Sequence, residues 1–124
     1  MTSKKSKTAL VVDDVTLMRT ILKNYLTKMG FSVVAEASDG AEALEKCRAH
    51  SPDLITMDLS MPGMKGVAAI KAIRSFNSNV KIIVVSAAGF QQNVIDAIAA
   101  GANNFVVKPF KEEKINEVIG AILK

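Results

Sequence analysis

The feature that most constrains the fold is a regular alternation of short aliphatic runs with segments of helical spacing. Five runs rich in β-branched and aliphatic residues predict strands at 8–13, 31–37, 53–58, 80–86 and 104–108. Apolar residues then recur at three- and four-residue steps, predicting one helix that ends before Gly30 and others near 39–49, 66–75, 90–100 and 111–123. Strands that alternate with helices form βαβ units, whose right-handed crossovers place helices on both faces of a parallel sheet. The pattern therefore predicts a doubly wound α/β domain.

Two of the helices have weaker apolar faces. In the second, Ala41, Leu44 and Cys47 are predicted to face the sheet, with Cys47 half-buried. In the fourth, Val94, Ala97 and Ile98 are predicted to face the sheet. Cys47 is the single cysteine, so the chain offers neither a disulfide nor a thiolate metal site, and we expect a reducing, cytoplasmic setting.

Length and charge limit the classes of function. A chain of 124 residues is one domain, which we place at 8–124 behind a flexible basic leader at 1–7. Lys4, Lys5 and Lys7 lie in this leader, and without them the net charge of +4 falls to +1. A nearly neutral body argues against nucleic-acid binding. The leader has no apolar segment of a secretory signal, and no apolar run reaches membrane-spanning length.

Polar side chains follow the apolar runs at the point where four of the predicted strands end. They are Asp13 and Asp14 after the first strand, Asp58 after the third, Ser86 after the fourth and Lys108 after the fifth. Parallel strands end at one edge of a sheet, and a doubly wound fold places its ligands there. We therefore expect these side chains to form one site.

The acids of this edge predict a metal site. Three neighbouring carboxylates repel one another unless a cation joins them, and an all-oxygen set suits Mg²⁺. We expect Asp13 and Asp14 to hold Mg²⁺ directly or through water, together with Asp58 and the backbone carbonyl of Ser60.

The remaining groups predict transfer of a phosphoryl group to a carboxylate. Asp58 lies between the metal acids and Lys108, so it is the expected nucleophile. Ser86 and Lys108 are expected to bind the phosphoryl oxygens. Charge neutralisation by metal and lysine is the main catalytic resource of such a transfer.

Four segments carry a family resemblance: VVDD at 11–14, MDLSMPGMKG at 57–66, VSA at 85–87 and FVVKPF at 105–110. In this order and spacing the chain resembles the receiver domain of a two-component response regulator, of the stand-alone CheY-like kind. The resemblance implies five strands in the order 2-1-3-4-5 with five helices.

The resemblance also implies a signalling cycle rather than classical enzyme turnover. A partner histidine kinase supplies the phosphoryl group, Asp58 accepts it, and the domain slowly removes it again. Ser86 then moves toward the phosphoryl group and Phe105 follows inward. This remodels a partner-binding face made by helix four, strand five and helix five. The Lys108–Pro109 bond is cis in the family.

Some positions depart from or vary within the family pattern. Phe105 stands where many chemotaxis members carry tyrosine, which leaves a steric switch without a hydroxyl. Lys65 occupies a loop position that is often acidic in relatives, and Ser60 and Ala88 are small residues at positions that tune phosphoryl lifetime.

Several roles fit this pattern. The segment DVTLMR after the acids resembles chemotaxis members, which favours control of the flagellar motor switch by a monomeric regulator. A phosphorelay intermediate or a phosphate sink would use the same site. A phosphatase of the haloacid-dehalogenase type is a distant alternative, because Val15 stands where its Asp-x-Asp motif requires the second acid.

Overall fold

Five strands and five helices alternate along residues 7–60, 66–87 and 91–123, the part of the chain that this computed structural model describes. The strands are β1 (Thr8–Val12), β2 (Ser32–Ala37), β3 (Leu54–Asp58), β4 (Lys81–Ala87) and β5 (Asn104–Lys108). The helices are α1 (Thr16–Lys28), α2 (Gly40–His50), α3 (Gly66–Arg74), α4 (Gln91–Ala100) and α5 (Glu112–Ile122). Leader residues 1–6, Lys65 and Ala88 lie outside the described residues.

The strands form one parallel sheet in the order β2-β1-β3-β4-β5. This confirms the predicted doubly wound topology, in which strand order reverses at β1. The register sets the functional edge, because Val12 pairs with Met57 and Asp58 pairs with Val85. Farther along the sheet, Ala87 pairs with Lys108. The last residues of β1, β3, β4 and β5 therefore lie side by side.

Two hydrophobic clusters cover the two faces of the sheet. One contains buried residues of α1 and α5, such as Leu22, Leu26 and Ile115. The other contains residues of α2, α3 and α4, such as Ala43 and Ile70. All of β3 is buried between these layers, which explains why its sequence has no polar alternation. None of the described helices has the length and apolar content needed to cross a membrane.

Parts of the predicted helix faces are wrong. In α2 Ala41 is exposed and Ala43 is buried in its place, and Cys47 is fully rather than half buried. Burial raises the pKa of the Cys47 thiol, which keeps it protonated and unreactive. In α4 Ile98 is exposed, contrary to the predicted inner face. Helical spacing identified both helices, but the orientation of each helix depends on its neighbours.

Candidate functional site

Three carboxylates meet at the carboxyl edge of β1 and β3. One oxygen from each of Asp13, Asp14 and Asp58 lies within 4.8 Å of the others. Asp13 and Asp58 are buried, whereas Asp14 is exposed to solvent. The pairing of Val12 with Met57 explains this approach, because Asp13 and Asp58 are the next residues of two adjacent strands.

Lys108 brings one positive charge to these acids. Its Nζ lies 3.2 Å from Asp13 Oδ2 and 3.7 Å from Asp58 Oδ1. The lysine is the last residue of β5, so its side chain reaches past the end of β4 to the two acidic strands. One ammonium group cannot neutralise three carboxylates, and the site therefore favours an additional cation.

The pKa of Asp13 is raised, mainly because the carboxylate is buried. Burial raises the pKa above its ordinary value of 3.8, and the nearby charge of Asp58 raises it further. A hydrogen bond from the Val15 N–H at 2.9 Å and the charge of Lys108 lower the pKa, but they do not reverse the shift. That bond from Val15, the residue before α1, also means that Asp13 serves the start of the helix besides facing the acids.

The two oxygens of Asp58 have different surroundings. Oδ1 accepts hydrogen bonds from the Ser60 N–H at 3.1 Å and the Ser60 hydroxyl at 2.9 Å. Oδ2 is buried and has no hydrogen-bond partner among the described residues. A buried anionic oxygen without a partner is costly. Together with the all-oxygen donor set, this free oxygen fits a hard divalent cation such as Mg²⁺.

The hydroxyl of Ser60 is a contact that the sequence interpretation missed. That interpretation assigned only the backbone carbonyl of Ser60, as a metal ligand, and this role stays a prediction. A serine two residues after a strand-end acid was the available signal, because Ser hydroxyls commonly bond to nearby polar groups.

Ser86 and Phe105, the predicted switch residues, lie on β4 and β5. Ser86 is buried one residue beyond Val85, the partner of Asp58, and its hydroxyl donates to the Ala87 carbonyl at 3.2 Å. No hydrogen bond joins Ser86 to Asp58 or Lys108, all three being described residues. Phe105 is exposed, which excludes an ordinary core position. The Lys108–Pro109 peptide bond is cis.

Gly66 is a second residue that the sequence interpretation missed. A Cβ atom at this first residue of α3 would lie 2.7 Å from the Asp58 backbone carbonyl oxygen and 2.9 Å from Leu59 Cδ2. Real Cβ atoms essentially never approach backbone so closely. Glycine is therefore required for α3 to begin against the end of β3, and its position in MDLSMPGMKG was the available signal.

A set of exposed apolar side chains lies on α4 and β5, which are consecutive elements of the chain. We call it the α4–β5 patch, and it consists of Ile95 (59% exposed), Ile98 (42%), Phe105 (41%) and Val107 (41%). Exposed aliphatic and aromatic residues that adjoin one another commonly mark interaction surfaces, so this set is a candidate for one.

Comparison with known proteins identifies the family of the chain. The family model described as the response regulator receiver domain matches residues 9–120. The chain is 51% identical over 114 residues to the chemotaxis protein CheY of Bacillus subtilis, covering 92% of this chain and 95% of the relative. It is 48% identical over 118 residues to the chemotaxis protein CheY of Thermotoga maritima, covering 95% and 98%.

A solved structure has the same fold. A chain from the crystal structure of the CheX–CheY–BeF3–Mg²⁺ complex of Borrelia burgdorferi is 32% identical, with a TM-score of 0.90. The match covers 95% of this chain and 90% of that chain. On the family match and on these relatives, the chain belongs to the response regulator receiver domain family.

Proposed function

We propose that this chain is a phosphorylation-dependent signalling protein that accepts a phosphoryl group on Asp58 from a histidine kinase. The observation that carries the proposal is the meeting of three carboxylates and Lys108 at one edge of the sheet. Asp58 is the proposed nucleophile because it is buried at the end of β3, and β3 lies between β1, which leads into the other two acids, and β5, which carries Lys108.

The chemistry is a direct transfer between two side chains. An oxygen of Asp58 forms a bond to phosphorus as the N–P bond of the donor phosphohistidine breaks. The electron pair of the broken bond stays on the imidazole nitrogen, and Asp58 becomes an acyl phosphate. Lys108 compensates charge on the phosphoryl oxygens, and the Ser86 hydroxyl turns from the Ala87 carbonyl to bind one of them.

The acids provide the metal site of this proposal. Asp13, Asp14, Asp58 and the Ser60 carbonyl would hold Mg²⁺, which supplies positive charge for the phosphoryl oxygens when bound. The relative from Borrelia burgdorferi was crystallised as a complex that contains BeF3 and Mg²⁺, in agreement with this assignment.

The output of the switch is a change at the α4–β5 patch. Phosphorylation adds charge beside Ser86, and β4 carries Ser86 next to β5, where Ser86 pairs with Val107. The exposed ring of Phe105 then turns inward and changes the apolar surface that a target protein meets. The 48–51% identical relatives are chemotaxis proteins, so we assign the target to chemotaxis and expect a component of the flagellar motor switch.

Labelling of Asp58 tests the proposed acceptor. Wild-type protein and Asp58→Asn are incubated with a ³²P-labelled acyl phosphate and Mg²⁺, and incorporation is measured before and after hydroxylamine, which cleaves acyl phosphates. We expect Asp58→Asn to lose the label. Asp96→Asn is the matched control, because Asp96 is an exposed acid on α4 and should label normally. Undiminished labelling of Asp58→Asn contradicts the assignment.

The partner is tested with protein trapped by beryllium fluoride, a phosphate mimic. We expect the trapped wild type to capture a flagellar motor-switch component and Ile95→Ser/Ile98→Ser to lose that capture. Capture of a histidine phosphotransfer protein instead identifies a relay, whereas labelling without any captured target favours a phosphate sink. Membership of the receiver family argues against the haloacid-dehalogenase alternative.

A further inference from the structure

Arg19, on the first turns of α1, reaches back to the loop that carries the acids. Its Nη1 donates to the backbone carbonyl of Asp13 at 2.7 Å, its Nε to Glu36 Oε1 at 3.0 Å and its Nη2 to the Thr16 hydroxyl at 3.2 Å. The side chain is only 17% exposed. All three guanidinium nitrogens are thus used, which matches the rigid fork of donors that arginine presents.

Glu36 anchors this arginine to the sheet. It lies on β2 opposite Val11 of β1, and its second oxygen accepts from Lys23 Nζ at 2.8 Å. The hydrogen bond from Lys23, and then the one from Arg19, lower the pKa of Glu36 below its ordinary value. The anchor is therefore an ionised carboxylate held on both oxygens.

The carbonyl that Arg19 holds belongs to the peptide between Asp13 and Asp14. The other polar atoms of Asp13 are also occupied: its N–H donates to Ala37, Oδ1 accepts from Val15 and Oδ2 from Lys108. Among the described residues, Arg19 provides the one hydrogen bond that the Asp13 carbonyl accepts. Val15, the N-cap residue of α1, makes no side-chain hydrogen bond. The hydrogen bond from Arg19 to the Asp13 carbonyl therefore fixes the backbone where the chain leaves β1.

We infer that Arg19, anchored by Glu36, is a positioning residue that orients the Asp13–Asp14 peptide so that both carboxylates face the cation site. This inference rests on the proposed function, because it concerns the Mg²⁺ site. Ligand orientation by surrounding hydrogen bonds typically changes metal affinity by about 10- to 100-fold.

The charge of Arg19 acts in the opposite direction to its hydrogen bonds. A guanidinium next to the acids repels an incoming divalent cation, so removing that charge alone strengthens Mg²⁺ binding. Loss of the hydrogen bond from Arg19 to the Asp13 carbonyl weakens Mg²⁺ binding instead. The sign of the change in affinity therefore separates positioning from electrostatics.

The experiment measures the Mg²⁺ dissociation constant by isothermal titration calorimetry for wild type, Arg19→Lys, Arg19→Gln and Lys28→Gln. Lysine keeps the charge but cannot reach three partners, and we expect about tenfold weaker binding. Arg19→Gln should also weaken binding, although it removes a positive charge. Lys28→Gln is the matched control, because Lys28 is an exposed lysine of α1 that pairs with Glu112 rather than Glu36, and its affinity should stay within about twofold.

A second measurement excludes a purely structural effect. The rate of Asp58 labelling is followed against Mg²⁺ concentration at a temperature where circular dichroism shows each variant folded. We expect Arg19→Lys to need more Mg²⁺ for half-maximal rate and to reach the wild-type maximum. A lowered maximum that Mg²⁺ does not restore overturns the inference.

The outcomes also separate this inference from the proposed function. Wild-type affinity in Arg19→Lys, or tighter binding in Arg19→Gln, overturns the positioning role and leaves the metal site intact. Absence of Mg²⁺ binding by the wild type overturns both. Should Arg19→Gln fail to fold, Arg19→Lys decides the question alone.

Discussion

The helices on either side of β5 use similar apolar content in opposite ways. α5 packs Ile115, Val118 and Ile119 into the cluster shared with α1. In α4, all of whose residues are described, Ala97 alone is fully buried, and Ile95 and Ile98 are exposed. Burying aliphatic side chains stabilises a domain, so the apolar residues of α5 stabilise the fold, whereas the exposed Ile95 and Ile98 of α4 contribute little to it.

The acid edge shows the opposite departure from ordinary burial. There the fold buries Asp13 and Asp58, which solvent would stabilise, and leaves Asp58 Oδ2 without a partner among the described residues. The α4–β5 patch exposes what a fold normally buries, and the acid edge buries what a fold normally exposes. Neither arrangement is one that stability alone would favour, and both are the regions to which we assign function.

The largest expected effect is on the free energy of unfolding when an isoleucine of α5, rather than one of α4, is shortened to alanine. Ile119→Ala should lower the free energy of unfolding by about 3 kcal/mol, because it removes a buried side chain and leaves a cavity. Ile98→Ala should change it by less than about 1 kcal/mol, since the side chain is largely exposed and alanine favours helix. Urea denaturation measures both, and equal losses would contradict the contrast between α4 and α5.

A second prediction concerns buried charge. Without Mg²⁺, Asp58→Asn should raise the free energy of unfolding by about 1 kcal/mol, because it reduces repulsion among three acids. The exposed Asp96→Asn on α4 should leave it nearly unchanged. Mg²⁺ should raise the melting temperature of the wild type more than that of Asp58→Asn. Destabilisation by Asp58→Asn would show that its hydrogen bonds with Ser60 outweigh the repulsion.

Thr56 tests the cost of burying a polar group that carries no charge. Its buried hydroxyl on β3 has no hydrogen-bond partner among the described residues. Thr56→Val replaces the hydroxyl with a methyl group of similar shape and should raise the free energy of unfolding by about 1 kcal/mol. Thermal denaturation measures the change, and a clear loss of stability would indicate that the hydroxyl has a partner in solution.

The smallest effect contrasts two acids near the same edge, Asp13 with a raised pKa and Glu36 with a lowered one. A lowered folded-state pKa means that the ionised pair stabilises the fold above the ordinary value of 4.5 and that this contribution is lost as pH falls through the folded value. Glu36→Gln should cost about 0.5 kcal/mol at pH 7, a modest value because the pair is partly exposed. The difference from wild type should vanish in acid.

Denaturation of wild type and Glu36→Gln between pH 3 and 7 checks this sign. Glu117→Gln on α5 is the control, because its pair with Lys114 is more exposed and should contribute less. A Glu36→Gln penalty that grows toward low pH would be inconsistent with the ion pairs seen here.

The sequence by itself determined the doubly wound fold class and the membership of the acid edge, and its motifs implied the strand order through the family resemblance. Alternating strand and helix patterns allow few arrangements, and parallel strands bring Asp13, Asp58 and Lys108 to one edge whatever the details of packing. The order of the polar residues along the chain was therefore sufficient to predict that these three side chains meet.

Only the tertiary structure decided which apolar residues are buried and which polar contacts orient the acids. Helical spacing could not show that Ile98 faces outward or that Ala43 replaces Ala41, because the rotation of a helix depends on what packs against it. The clamp of Arg19 on Asp13 joins α1, the loop after β1 and Glu36 of β2. Such contacts require residues that are distant in sequence to be placed to within a few tenths of an ångström. Local sequence pattern does not encode that placement.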